Sequence, residues 1–239
     1  MMDVVLQVPV LDMPWKNFAL LFITALAGGA FGAAIGALPA FIFTGFVVFL
    51  GEGLAILQRE VGTLEGVPKG ELAAGVTGVI GFGPVTGPHI AFAGGVAASA
   101  YAGKHYPEMD PDGWDYHFGK NILYAFGTKP DILAVGAVFG AVGMVVARLS
   151  GGLGIPTDGV ALSVVLTAFL ARLAFGYPIV GRAAGSGLLD MTPFERGETR
   201  AATDGGTGEA RPATEPWLPH QYKWSGVTAI GLVGGFLAG

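Results

Sequence analysis

The sequence predicts an all-α integral membrane protein with about five full or partial spans and, in addition, a broken, re-entrant helical hairpin. Charged residues make up only 13% of the 239 residues, about half the share of a soluble domain, whereas hydrophobic residues make up 52%. So few charges do not cover a soluble surface. Glycine is also enriched, at 41 residues, and small residues let membrane helices approach closely.

The first two spans are predicted to form a helical hairpin. Residues 1–16 form an N-terminal segment without the basic region and cleavage site of a secretory signal. Residues 17–38 carry no charge and would reach about 33 Å as a helix, enough for a ~30 Å hydrocarbon core. Pro39 suits the first turn of a second span, 39–58, whose one charge is Glu52.

The next apolar region is interrupted at its centre. Residues 81–88 hold three glycines and two prolines, which a regular helix does not tolerate. The flanking pieces, 71–82 and 88–102, are each too short to cross a membrane alone. They form either one kinked span or two half-helices that return to the same side.

Two more spans and a polar segment follow. Residues 131–149 and 157–176 are apolar, and Thr157 or Asp158 is expected to cap the second of these helices. Residues 177–223 are predicted to be a polar, partly disordered cytoplasmic segment, whose acidic, lysine-free centre at 193–216 resembles archaeal halophile proteins in composition. Residues 224–239 are expected to begin a further helix that the sequence cuts short.

The distribution of basic residues favours the returning hairpin. With a cytoplasmic N-terminus, that arrangement places 12 of the 13 basic residues on the cytoplasmic side and leaves only Arg148 near the outer end. A kinked span would place only four of the 13 basic residues on the side of the N-terminus. We therefore expect a multi-pass protein of the plasma membrane with its N-terminus in the cytoplasm.

Small residues suggest both an internal repeat and helix contacts. Residues 28–33 resemble residues 136–141 at an offset of 108, which indicates a parallel duplication unless small-residue composition produces the match by chance. Spacing by four puts glycines on one helix face, where backbones approach closely. The predicted helix-packing residues are Gly28, Gly32, Gly36, Gly136 and Gly140.

The broken segment is the main candidate for a binding site. Irregular backbone at membrane depth is tolerated where protein buries it or water reaches it, and transporters bind ions and substrates between half-helix ends. Alternatively, the break is a structural kink in which His89 bonds to a carbonyl, and Glu52 lies at the interface. The candidate residues for binding an ion or substrate are Gly83, Pro84, Thr86, Gly87, Pro88, His89 and Glu52.

Several other classes of function are excluded or disfavoured. The chain has no cysteine, which excludes zinc–thiolate and iron–sulfur sites, and its 13 basic against 18 acidic residues disfavour nucleic-acid binding. Residues 110–113 faintly resemble a calcium loop but lack the closing glutamate, so no metal site is expected. No catalytic motif or cofactor signature is present, and we expect neither an enzyme nor a cofactor.

The sequence therefore predicts a membrane transporter or channel subunit for a small ion or solute, with its site at the broken helix. The alternative is a non-transporting scaffold or assembly subunit that packs through its Gly/Ala-rich helices. The expected partners are the lipid bilayer, the small ion or solute and further copies of the same chain, because small residues are more numerous than the contacts of one chain require.

Overall fold

The computed structural model describes residues 7–11, 13–61, 74–110, 118–179, 186, 192, 196–197, 199–201, 210–212 and 223–238. Within these residues the protein is mostly helical. The α-helices are α1 (Trp15–Ile35), α2 (Ala37–Val61), α3 (Ala91–His105), α4 (Pro130–Gly152), α5 (Gly159–Ala174) and α6 (Trp224–Ala238). A π-helix, Ala74–Gly81, and two short 3-10 helices, Pro107–Met109 and Phe118–Lys120, complete the helical elements.

Two small hairpins lie outside the helices. Strand β1 (Gln7–Val8) pairs antiparallel with β2 (Met13–Pro14) just before α1. Strand β3 (Thr199–Ala201) pairs antiparallel with β4 (Ala210–Pro212), inside the stretch that the sequence predicts to be disordered. The sequence between β3 and β4 contains Asp204-Gly205, a common hairpin-turn pair, which the disorder prediction did not weigh. The other residues of 193–216, apart from residues 196–197, lie outside the described residues.

Glycine-to-glycine contacts form the centre of the bundle, where α1, α3 and α4 meet. A Cβ atom built on Gly94 would lie 2.6 Å from the carbonyl oxygen of Gly136 and 2.7 Å from the Cα of Gly29. One built on Gly140 would lie 2.6 Å from the same Gly29 Cα. Any side chain at these positions would overlap a neighbouring backbone, so the three helices touch main chain to main chain.

The predicted packing glycines of α1 divide into two kinds. Gly28 faces the side chain of Ile90, which a Cβ would approach to 2.8 Å, and Gly32 faces the backbone of Ala91. Gly36 is not on a helix face. It ends α1 with a φ of 96°, which only glycine adopts without strain, and lets the chain turn directly into α2.

The broken segment runs along α2 through the bundle, and the predicted re-entrant hairpin is not confirmed. The π-helix, the turns at 82–90 and α3 together follow α2 in the opposite direction along its length, and we call residues 74–105 the broken span. Along α2 the contacting pairs are Gly51–Thr77, Val48–Gly81, Thr44–Thr86, Phe41–Phe92 and Ala37–Gly95. A returning segment would instead meet the same part of α2 twice.

The helix directions also exclude a parallel repeat. Ala33 of α1 lies beside Gly136 of α4, and Ala25 lies beside Gly140, so α1 and α4 run antiparallel. The two similar segments therefore have opposite directions. The bundle has a Trp15 end, where α1 begins and α4 ends, and a Gly36 end, where α1 turns into α2 and where Phe126 bonds to Ala33.

The outer surface of the bundle is apolar, as a lipid-facing surface requires. Large hydrophobic side chains such as Phe46 and Phe49 of α2 and Leu173 of α5 are exposed. Three helices, α1, α2 and α4, are long and apolar enough to cross a membrane. These features indicate membrane association.

The close contact at Gly32 predicts a large effect of substitution. Gly32→Leu should lower the free energy of unfolding by about 1–3 kcal/mol or more, because the backbone of Ala91 occupies the space of the new side chain. Gly45→Leu on α2 is the matched control, since nothing lies within 4 Å of its Cβ position. Denaturant unfolding in detergent should show a loss for Gly32→Leu alone, and equal stability of the two variants would contradict the contact.

Single cysteines test whether the broken span crosses, since the chain has none of its own. Pro9→Cys and Thr157→Cys should react with a membrane-impermeant thiol reagent from the same side of sealed vesicles. Ala125→Cys, in the loop at the Gly36 end, should react from the opposite side. All three residues are exposed. A re-entrant hairpin would place Pro9 on the same side as Ala125, so shared labelling of that pair would refute the crossing.

Candidate functional site

The break between the π-helix and α3 is a series of tight turns. The Phe82 amide continues the π-helical pattern by donating to the Thr77 carbonyl at 2.9 Å, and the Gly83 amide donates to the Ile80 carbonyl at 3.1 Å. A Cβ on Gly83 would overlap the carbonyl oxygen of Val79. Glycine is therefore required at 83, because the chain folds back onto the turn that it has just left.

Two threonine hydroxyls donate to carbonyl groups of the break. The Thr86 hydroxyl donates to the carbonyl of Ile80 and lies 3.4 Å from that of Gly81. The Thr44 hydroxyl on α2 donates in turn to the Thr86 carbonyl at 2.6 Å. Unpaired carbonyls are costly away from water, so these bonds stabilise the break and fix it against α2. Thr86 therefore has a structural role.

The amide groups at the start of α3 are also engaged. The Ile90 and Ala91 amides donate to the Gly87 carbonyl at 2.8 and 2.9 Å, and the Ala93 amide donates to that of Pro88 at 3.1 Å. A half-helix that begins near Pro88 would bind an ion through free N–H groups at its start. The turn before α3 instead uses these donors locally, so an ion-binding helix end is not supported here.

His89 is buried at the level of the break, with 8% of its surface exposed. Its backbone carbonyl rests on Gly143 of α4, where a Cβ would overlap it. Its ring lies over Gly87, whose Cβ position would be 2.6 Å from the ring Cε1 atom. The Nδ1 atom has no hydrogen-bond partner among the described residues, which differs from the carbonyl-bonded histidine of the structural alternative.

A cavity of about 190 Å³ lies beside the break. It lies towards the Trp15 end of the bundle, between α1, the broken span and α4. Polar groups on its wall come from the break and from His89 and Arg148, while the remaining wall is apolar. The lining residues are Leu21, Gly78, Val79, Phe82, Gly83, Pro84, His89, Ile90, Met144 and Arg148.

The structure brings some of the predicted site residues together and separates others. Gly83, Pro84 and His89 line the cavity, whereas Thr86, Gly87 and Pro88 do not line it and instead support the turns beside it. Glu52 lies elsewhere: it is exposed on α2, and its Oε1 atom accepts a hydrogen bond from Thr77 at 3.3 Å.

Arg148 is the functional candidate that sequence reasoning missed. The sequence analysis placed it near the outer end and gave it no part in binding, yet it lines the cavity with His89. A signal was present in the sequence, because Arg148 follows Met144 by four residues and so shares its helix face. Gly143, which holds the His89 carbonyl, continues the glycine face of Gly136 and Gly140.

A second polar cluster lies at the Gly36 end and has a structural role. The hydroxyls of Tyr101 and Tyr106 both donate to Asp131 at the start of α4. The hydrogen bond to Asp131 raises the pKa of Tyr106 to about 12, so this phenol remains a donor at neutral pH. The Lys129 ammonium lies 3.9 Å from the centre of the Tyr106 ring. These contacts fasten the end of α3 to α4.

Comparison with known proteins shows the family. The profile of a family of unknown function, DUF7973, matches residues 10–239, and the chain belongs to that family. No curated protein and no solved structure matches the chain.

The capping role of Thr86 predicts a stability effect. Thr86→Val keeps the shape of the side chain but removes the hydroxyl that bonds to the Ile80 carbonyl, which then keeps only the Gly83 amide as a donor. This should cost about 0.5–1.5 kcal/mol of unfolding free energy. Thr86→Ser should retain most of the stability. Thr24→Val is the control, because the Thr24 hydroxyl bonds only to carbonyls inside the regular helix α1. If both valine variants unfold alike in detergent, the hydroxyl does not cap the break.

Proposed function

We propose that this member of the family is a membrane transporter or channel subunit for a small ion or solute, which binds in the cavity beside the break. The observation that carries the proposal is the cavity of about 190 Å³ lined by Gly83, Pro84 and His89. A purely structural kink would be sealed by side chains at this point. Space next to a broken span with a buried, unpartnered imidazole is the arrangement that a binding site requires.

The depth of the break supports the same function. The His89 carbonyl meets α4 at Gly143, near the middle of that helix, and Gly28 meets the break from the middle part of α1. The inner wall of the cavity would therefore lie near mid-depth of the bundle, where transporters commonly place their sites, while its open side lies towards the Trp15 end.

The opposite directions of the two similar segments also fit a transporter. Many transporters are built from repeats of inverted topology that meet at the binding site. Residues 28–33 and 136–141 resemble each other and run antiparallel in contact, through Gly29 and Gly140. The duplication that we propose is thus inverted.

We further propose five crossings. Three are the long apolar helices α1, α2 and α4, one is the broken span, and one is the shorter apolar helix α5. With these crossings, nine of the 13 basic residues lie at or near the Gly36 end, namely Lys104, Lys120, Lys129 and the six from Arg172 to Lys223. The other four lie at or near the Trp15 end. The positive-inside rule then places the Gly36 end in the cytoplasm and the N-terminus outside. This orientation reverses the one based on a returning hairpin, and the cavity opens in the outer half.

We also propose that the protein forms a homo-oligomer, in which copies of the chain contact each other through glycines that make no close contact within one chain. Gly28, Gly32, Gly136 and Gly140 are occupied by contacts within the chain. Others have open space at their Cβ positions and are free to pack against a second copy: Gly45, Gly53, Gly231, Gly234 and Gly235.

Solute flux in reconstituted vesicles tests the transport role. Vesicles that contain the protein should swell faster than protein-free vesicles when exposed to a panel of small salts and neutral solutes, followed by stopped-flow light scattering. His89→Gln should lower the rate for the responsive solute by about 10-fold or more, because the side chain on the cavity wall changes shape and hydrogen bonding.

His105→Gln is the matched control for this substitution. His105 is exposed at the end of α3, outside the cavity, and this variant should keep the parent rate. Rates equal to those of protein-free vesicles for every solute, with a folded and inserted protein, would reject transport and favour the scaffold role.

A further inference from the structure

We infer that the cavity beside the break binds a small, singly charged oxyanion, such as a short carboxylate, with Arg148 as its principal ligand. This inference rests on the site of the proposed function and adds the chemical class of the solute. It follows from the charges on the cavity wall, the size of the space and the contacts of Asp158.

The wall of the cavity is cationic. Among its ten lining residues in the described part of the chain, Arg148 is the permanently charged one and His89 the titratable one, and none is an aspartate or glutamate. A guanidinium beside an apolar wall favours an anion, and its planar fork matches the two oxygens of a carboxylate. One guanidinium balances one negative charge, which selects a singly charged ligand.

Asp158, a carboxylate at the same end of the bundle, is engaged in a helix cap. Asp158 is the acidic residue whose charge acts on His89. Its Oδ1 atom accepts the amides of Val160 and Ala161 at 2.8 and 2.9 Å and so caps α5. This carboxylate is held at the helix end and is not part of the cavity wall, which leaves the anionic position of the site to a ligand.

The space suits a small ligand that keeps some water. About 190 Å³ is the liquid volume of roughly six water molecules at ~30 Å³ each. Arg148 lines the cavity and is also exposed, so it lies at the open side of the cavity. His89 lines the cavity and is buried, so it lies at the inner side. A ligand held by Arg148 therefore meets His89, whose imidazole offers a hydrogen bond from the inner wall.

Ligand-dependent melting of the purified full chain in detergent tests this inference independently of transport. Sodium formate should replace sodium chloride at constant ionic strength. We expect a saturable rise in Tm, of about 5–10 °C once formate is ~100-fold above its Kd. Arg148→Gln should abolish the rise, and Arg148→Lys should weaken formate binding about 10-fold because the planar fork is lost.

Lys16→Gln is the matched control, since it removes an exposed positive charge at the same end of the bundle but away from the cavity. It should respond to formate like the parent. An unchanged Tm in the parent, or equal responses of the parent and Arg148→Gln, would overturn the anion site. Formate binding without flux of any solute would reject transport and leave the site, whereas flux of cations or neutral solutes without formate binding would reject only the anion.

Discussion

Direct contact between helix backbones is the constraint on which the rest of this structure depends. Apolar side chains gain little from leaving lipid for a protein interior, so helices in a membrane associate through close packing. At Gly29, Gly94, Gly136 and Gly140 no side chain separates α1, α3 and α4. The dispersion contacts and weak polar contacts of the main chain then hold the three helices together. These glycines therefore determine how near the remaining elements can lie.

The break in the segment 74–105 is stable because the same packing brings partners to its backbone. Gly143 of α4 is close enough to hold the His89 carbonyl, and α2 is close enough for Thr44 to bond to Thr86. The turns satisfy most of their groups in this way. Packing is incomplete on the side towards the Trp15 end, where the wall between Leu21, Met144 and Arg148 leaves the cavity. Rigid support on one side and space on the other are what a binding site needs.

Sequence reasoning found the helices and the position of the break, because apolar length, proline and glycine act locally. It did not find the path of the chain after the break. Crossing or returning depends on whether the residues after Thr86 continue along α2, and that is decided by contacts such as Gly95 with Ala37, far apart in sequence. The count of basic residues favoured the returning path because it compares charges between connections and contains no information on which helices contact one another. Arg148 was overlooked because its partner across the cavity, His89, comes from another element.

Water access to the cavity is the most direct test of the account. Leu21 lines the cavity, while its neighbour Leu20 is 56% exposed on the outer surface of the same helix. Thiolate reacts fast with water-soluble methanethiosulfonate reagents, and a thiol in lipid does not ionise. Leu21→Cys should therefore be modified from the side that also modifies Thr157→Cys, and Leu20→Cys should stay unmodified. If Leu21→Cys is as unreactive as Leu20→Cys in the folded protein, the break is sealed and the central claim is wrong.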